Sequence, residues 1–186
     1  MTSLAIVGTV LIASSTLASS AFAVDYLSAE QARKLLLPSA AQWQDKTVAL
    51  TPAQLVSVSK LAGVAARSAA WGVSHALDAQ GRYTGSVVID QVIGKFELIT
   101  YAVGVDAKGT VTGIEILSYR ESHGAEIRLA GWRKQFVGKT LAQPIKTGDD
   151  IALISGATLS CNHVTDGVRR IAAVLAVLRD AGQLPA

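Results

Sequence analysis

The hydrophobic pattern changes character several times along this chain. From Leu4 to Ala23 there is no charged residue, and Leu, Ile, Val, Ala, Ser and Thr fill the run without a polar face. The run ends in Ala21-Phe22-Ala23, a small-x-small pattern that predicts a signal peptide over residues 1–23. Met1-Thr2-Ser3 carries no Lys or Arg, and the run is nearly long enough to span a bilayer. An uncleaved anchor is therefore the alternative, and either version places the body of the protein outside the cytoplasm.

After the leader the spacing turns helical. Residues 28–37 (SAEQARKLLL) predict a short helix with Ser28 as its N-cap and Pro38 as its stop. A second helix is expected from Pro52 to Leu61, capped by Thr51, with Leu55, Val58 and Leu61 on one side. Residues 62–80 show no firm period and read as irregular or weakly extended. The clearest strand signal follows in GSVVIDQVI and GKFELITYAVGVDAKGTVTGIEILSY. Apolar residues fall on both alternating sets from Phe96 to Val105, which predicts a strand covered on both faces. Asp106-Ala107-Lys108-Gly109 reads as the turn into a returning strand. These segments predict a three-stranded antiparallel meander.

Trp132 and Phe136 are four apart in a short helix expected over 131–137, which Gly138 ends. A long final helix is expected over about 159–180. Val164, Val168, Ile171, Val174, Leu175 and Leu178 form its apolar stripe, while Arg169 and Arg170 read as a solvated face. Gly167 inside this helix is unfavourable by about 1 kcal/mol and calls for a close packing partner, either the sheet or a ligand. The predicted class is α+β: an antiparallel β-meander packed with helices. The expected organisation is a leader over 1–23, a helical or irregular region over 24–84, and a ligand-binding domain over 85–182.

Composition narrows the function classes. The net charge of +3 is scattered along 186 residues, without the basic stripe of a nucleic-acid binder. A single cysteine, Cys161, excludes an intramolecular disulfide and a CxxC site, and reads as a buried small hydrophobe. No cluster of metal ligands stands out. No GxGxxG follows a strand, so a nicotinamide site is not expected.

The candidate chemistry is Ser155-Gly156-Ala157-Thr158, with Ser160 just beyond, at the entrance to the last helix. Two readings stand on the residues alone. One is a capped helix start. The other is a phosphate site, in which helix amides face the anion, Gly156 permits close approach and the hydroxyls donate.

The stretch resembles the signature of the FMN-binding domain family, which includes flavin-carrying subunits of the sodium-pumping NADH:quinone oxidoreductase and of Rnf electron-transport complexes. The family's D-x-x-[S/T]-G-A-[T/S] is matched in its second half by Ser155 to Thr158. Three further elements are similar in the same order. They are the hairpin Asp106–Ile114, the loop Glu121-Ser122-His123-Gly124, and Trp132-Arg133-Lys134-Gln135-Phe136-Val137-Gly138-Lys139. The family's Asp is Ala152 here, with Asp149 and Asp150 upstream.

The resemblance implies FMN esterified through its phosphate to Thr158 by a separate flavin transferase. It implies a cofactor site of Ser155, Gly156, Ala157, Thr158 and Ser160, with His123 and Glu121 from the loop and Trp132 flanking the ring. It also implies an extracytoplasmic electron carrier that works with a membrane redox partner, rather than a complete enzyme. The alternative is a periplasmic binding or sensory module that holds flavin or another ligand reversibly.

Overall fold

A computed structural model describes residues 26–185. The leader expected over 1–23 lies outside the described residues. The element order is α1 (Ala29–Leu36), β1 (Gln42–Ala49), α2 (Pro52–Ala62), β2 (Ala70–Leu77), β3 (Tyr83–Ile93), β4 (Leu98–Asp106), β5 (Val111–Ser118), α3 (Ala130–Arg133) and α4 (Thr158–Asp180). Both early helices start as their sequences dictate. Ser28 and Gln31 form a reciprocal capping box on α1, and Thr51 and Gln54 form another on α2, where Pro52 occupies the first turn.

The sheet is a five-stranded antiparallel meander in the order β1-β2-β3-β4-β5. The expected three strands are its β3–β5 part. The region read as helical or irregular contributes the other two, β1 and β2, so the sheet runs through both of the expected regions. A five-stranded antiparallel sheet with helices packed on it is an α+β fold.

Two apolar layers hold it together. On one face Ala32, Leu36 and Leu37 pack against Ala76, Val87, Ala102 and Leu117. On the other, Val58 and Ala62 of α2 join Val164, Val168, Ile171 and Leu175 of α4 over Val73, Val88, Tyr101, Val103 and Ile114. Strand β4 is therefore covered on both faces, as its two apolar sets require. Gly104 leaves room for Leu36, whose Cβ would lie 2.8 Å from a methyl group at that position.

The glycine inside α4 is explained by the sheet. A Cβ on Gly167 would overlap the Tyr101 hydroxyl, which donates to Asp90 at 3.0 Å. The arginines of α4 depart from the expectation of a solvated face. Arg170 is buried and its Nε donates to the Ala65 carbonyl at 2.7 Å, while Arg169 lies beside Gly63. The cause is α2 and the segment after it, which cover this side of α4.

Gly167→Ala is expected to lower stability by about 1–3 kcal/mol through overpacking against Tyr101, even though alanine favours helix by about 1 kcal/mol. Chemical denaturation of the variant measures the balance; a more stable variant would contradict the contact.

Candidate functional site

A cavity of about 470 Å³ opens where three segments meet. The tip of the β3–β4 hairpin supplies Lys95 and Phe96, the loop after β5 supplies Glu121, Ser122 and His123, and the start of α4 supplies Gly156 to Ser160. The volume is within the range of small-molecule sites.

The α4 side is built by a turn. The Ala157 amide donates to the Ile154 carbonyl at 3.0 Å, and Gly156 has φ +81°, a conformation that favours glycine. The helix then begins at Thr158 with Ala157 as its N-cap, and no side chain caps it. The hydroxyls of Ser155 and Thr158 are thus not helix caps, contrary to the simpler of the two sequence readings. Uncapped first-turn amides and the helix dipole together favour an anion at this end. Thr158 is exposed beside them and lines the same cavity.

The 121–124 loop sits directly on this turn. Gly124 has φ +84°, and a Cβ there would overlap the Ala157 methyl and lie 2.7 Å from the Tyr119 hydroxyl. That hydroxyl donates to the His123 carbonyl and also lies 3.3 Å from Ser160 Oγ. Ser160 is buried in this contact. Tyr119 therefore ties the loop to the first turn of the helix. His163 makes a second tie, with Nδ1 2.6 Å from the Ile93 carbonyl. Because a carbonyl can only accept, Nδ1 carries the proton.

Glu121 reaches across the cavity floor. Its Oε1 accepts from the amides of Phe96 at 2.6 Å and Glu97 at 3.0 Å. Burial alone would raise this carboxyl, but the amides of Glu97, Phe96 and Lys95 outweigh it and hold it below the ordinary carboxylate range.

Six of the eight residues named from sequence line the cavity: Glu121, His123, Gly156, Ala157, Thr158 and Ser160. Ser155 lies in the adjoining turn, outside the lining. Trp132 lies elsewhere. It is buried against Phe136, with ring centroids 5.1 Å apart, and its Nε1 donates to the Ala152 carbonyl at 2.8 Å. Trp132 thus supports the chain entering the turn.

Two neighbouring residues share that work. The Gln135 carboxamide oxygen accepts from the Ala152 amide at 2.8 Å, and Lys139 pairs with Asp150 at 2.7 Å. Burial would raise the Asp150 carboxyl, but the bond from Lys139 and the amides of Lys146 and Ile145 draw it below its usual value. Sequence reasoning also passed over Lys95 and Phe96, which occupy a hairpin tip whose only local signal is Gly94.

Gly124→Ala is expected to destabilise the protein by about 2–4 kcal/mol, from left-handed backbone strain plus overlap with Ala157. Adding Ala157→Gly should restore part of that loss in chemical denaturation. A double variant no more stable than Gly124→Ala would show that the two residues are not in contact.

Comparison with a family model falls on the same segment. The FMN-binding domain model matches residues 94–173, a stretch that contains every residue lining the cavity. One subunit of the ion-translocating oxidoreductase complex of Aliivibrio fischeri (strain MJ11) is 30% identical over 105 residues, which cover 48% of this chain and 49% of that protein. The corresponding subunit of the Na(+)-translocating ferredoxin:NAD(+) oxidoreductase complex of Acetobacterium woodii is 32% identical over 84 residues, 40% of this chain and 39% of that protein. The chain thus spans about half the length, or less, of these curated relatives. The crystal structure of NqrC from Shewanella oneidensis superposes with a TM-score of 0.49 at 16% identity, covering 78% of this chain and 88% of that one. The segment that borders the cavity is thus the part of this chain that is similar to the FMN-binding domain.

Proposed function

We propose that this protein is an extracytoplasmic electron carrier of a membrane-bound, ion-translocating redox complex, with FMN esterified to Thr158 by a separate flavin transferase. The observation that carries the reading is exposed Thr158 at the uncapped start of a 23-residue helix, lining a cavity within the segment that matches the FMN-binding domain.

The residues present fit the cofactor. The first amides of α4 and its dipole suit a phosphate. Gly156 keeps the approach open, because nothing lies within 4 Å of where its Cβ would be. Phe96 and Leu159, both lining the cavity and both exposed, offer apolar surface for a ring system. When bound, FMN supplies the electron-accepting and electron-donating chemistry. The protein holds the phosphate end at the helix, orients the ring end between the hairpin tip and the 121–124 loop, and limits water around it. A bond between Thr158 Oγ1 and the phosphorus makes cofactor loss a chemical step in a compartment without a concentrated flavin pool.

Position 152 bears on how that bond is made. Trp132 and Gln135 hold Ala152 through its backbone carbonyl and amide, and its side chain is exposed. The fold therefore does not depend on what residue stands there, and a carboxylate at this position would face an approaching enzyme. Asp150 is a poor substitute, being occupied by Lys139 and two loop amides. Ala152 is the feature that favours the second reading, a module that binds flavin reversibly.

Intact mass of protein produced with a flavin transferase tests the proposal. The expected gain is FMN less one water, absent from Thr158→Val. Ala152→Asp should change stability by less than about 0.5 kcal/mol and raise the modified fraction wherever the transferase reads that carboxylate. An unmodified mass in both the wild type and Ala152→Asp would overturn covalent attachment, and yellow protein that releases its flavin on denaturation would support the second reading.

A further inference from the structure

The hairpin tip at residues 94–97 has little of its own to hold it. One backbone bond closes it, from the Gly94 amide to the Glu97 carbonyl at 2.7 Å. The amides of Phe96 and Glu97 point at a single carboxylate oxygen brought from a different loop, that of Glu121. Two amides converging on one anionic oxygen form charge-assisted bonds, the stronger kind. Gly94 is what lets the carboxylate in, since a Cβ at that position would overlap Glu121 Oε1 and lie 3.0 Å from its Cγ.

This clamp fixes a side chain that the protein alone does not bury. Phe96 is 71% exposed, yet it lines the cavity together with Leu159, which is 44% exposed. Lys95 adds its ammonium 4.9 Å from the centre of the Phe96 ring. An isolated exposed phenylalanine would need no explanation. One held in place by an anion from another segment, at the mouth of a cavity, is different. Its apolar face is available to a planar aromatic ligand.

We infer that Glu121 is a positioning residue rather than a cofactor contact: it holds the hairpin tip so that Phe96 covers the flavin ring against solvent. The inference rests on FMN occupying the cavity, and it assigns to Phe96 a part that neither the motif nor the family match identifies.

Four variants separate the pieces. Phe96→Ala removes the cover. Glu121→Ala removes the clamp. Gly94→Ala keeps Glu121 but displaces its carboxylate, and Glu121→Gln keeps an acceptor oxygen of the same reach. In the ligand-free protein, the amide proton resonances of Phe96 and Glu97 should move upfield in Glu121→Ala and Gly94→Ala, and move less in Glu121→Gln, which keeps an acceptor but not the charge. In the FMN-loaded protein, iodide should quench flavin fluorescence about twofold or more strongly in Phe96→Ala, Glu121→Ala and Gly94→Ala, because each opens a ring that the site otherwise shields. The double variant Glu121→Ala/Phe96→Ala should go no further than Phe96→Ala, as expected of two residues acting through one contact.

Quenching unchanged in Phe96→Ala would overturn the cover. Quenching raised by Phe96→Ala but not by Glu121→Ala or Gly94→Ala would overturn the clamp. Shifted amides in the ligand-free variants, together with wild-type protein that takes up no FMN, would overturn the functional reading beneath and leave only the clamp standing.

Discussion

The approach of α4 to the sheet is the constraint on which the rest of the site depends. Gly167 meets the Tyr101 hydroxyl with no room for a methyl group, so the helix lies against β4 at that point. About one turn earlier the same helix reaches the end of β3, where His163 meets the Ile93 carbonyl. These two contacts fix both the depth and the direction of α4. Its uncapped N-terminus then arrives beside the β3–β4 hairpin tip and the loop that leaves β5. Without the close approach at Gly167, the helix amides and the hairpin tip would not border one cavity.

The second requirement is that two loops touch without side chains between them. Gly124 rests on Ala157, and Tyr119 bonds both the 121–124 loop and the first turn of α4. The small residues of the motif thereby serve two ends. Gly156 makes the turn and leaves space above it, while Ala157 is small because another backbone lies on it. Farther back, Trp132, Gln135 and Lys139 hold the segment 150–152 that feeds the turn. The elements that resemble the FMN-binding family are thus mutually supporting. One of them forms the turn at the start of α4, one the loop that rests on it, and one the support beneath the turn.

Much of this was legible in the sequence, and what was not has physical causes. The capping boxes of α1 and α2 are local, so Ser28 and Thr51 announce them. The β3–β5 meander carries enough apolar alternation to be read directly. Strand β1 does not, because as an edge strand it exposes most of its residues, with Val48 alone fully buried. Strand β2 buries Ser74 and His75, whose partners Asp45 and Ser86 come from neighbouring strands. Burial of polar residues that find a partner on a neighbouring strand erases the alternation that a single sequence shows. Arg170 fails for the same reason, since the carbonyl that partners its buried Nε belongs to Ala65, 105 residues away. At the cavity, the lining residues of α4 and the 121–124 loop are ones that the motifs single out, whereas Phe96 enters through a carboxylate 25 residues away.

The central claim is a location: FMN lies between the hairpin tip and the start of α4, with its phosphate at the helix amides. Comparison of backbone amide spectra of the ligand-free and FMN-loaded protein tests it most directly. The account predicts the largest shifts at residues 95–97, 121–124 and 156–161. A second hollow of about 410 Å³, lined by Tyr26, Arg128 and Leu129 among others, provides the contrast. Shifts concentrated there, with the α4 amides unmoved, would contradict the account.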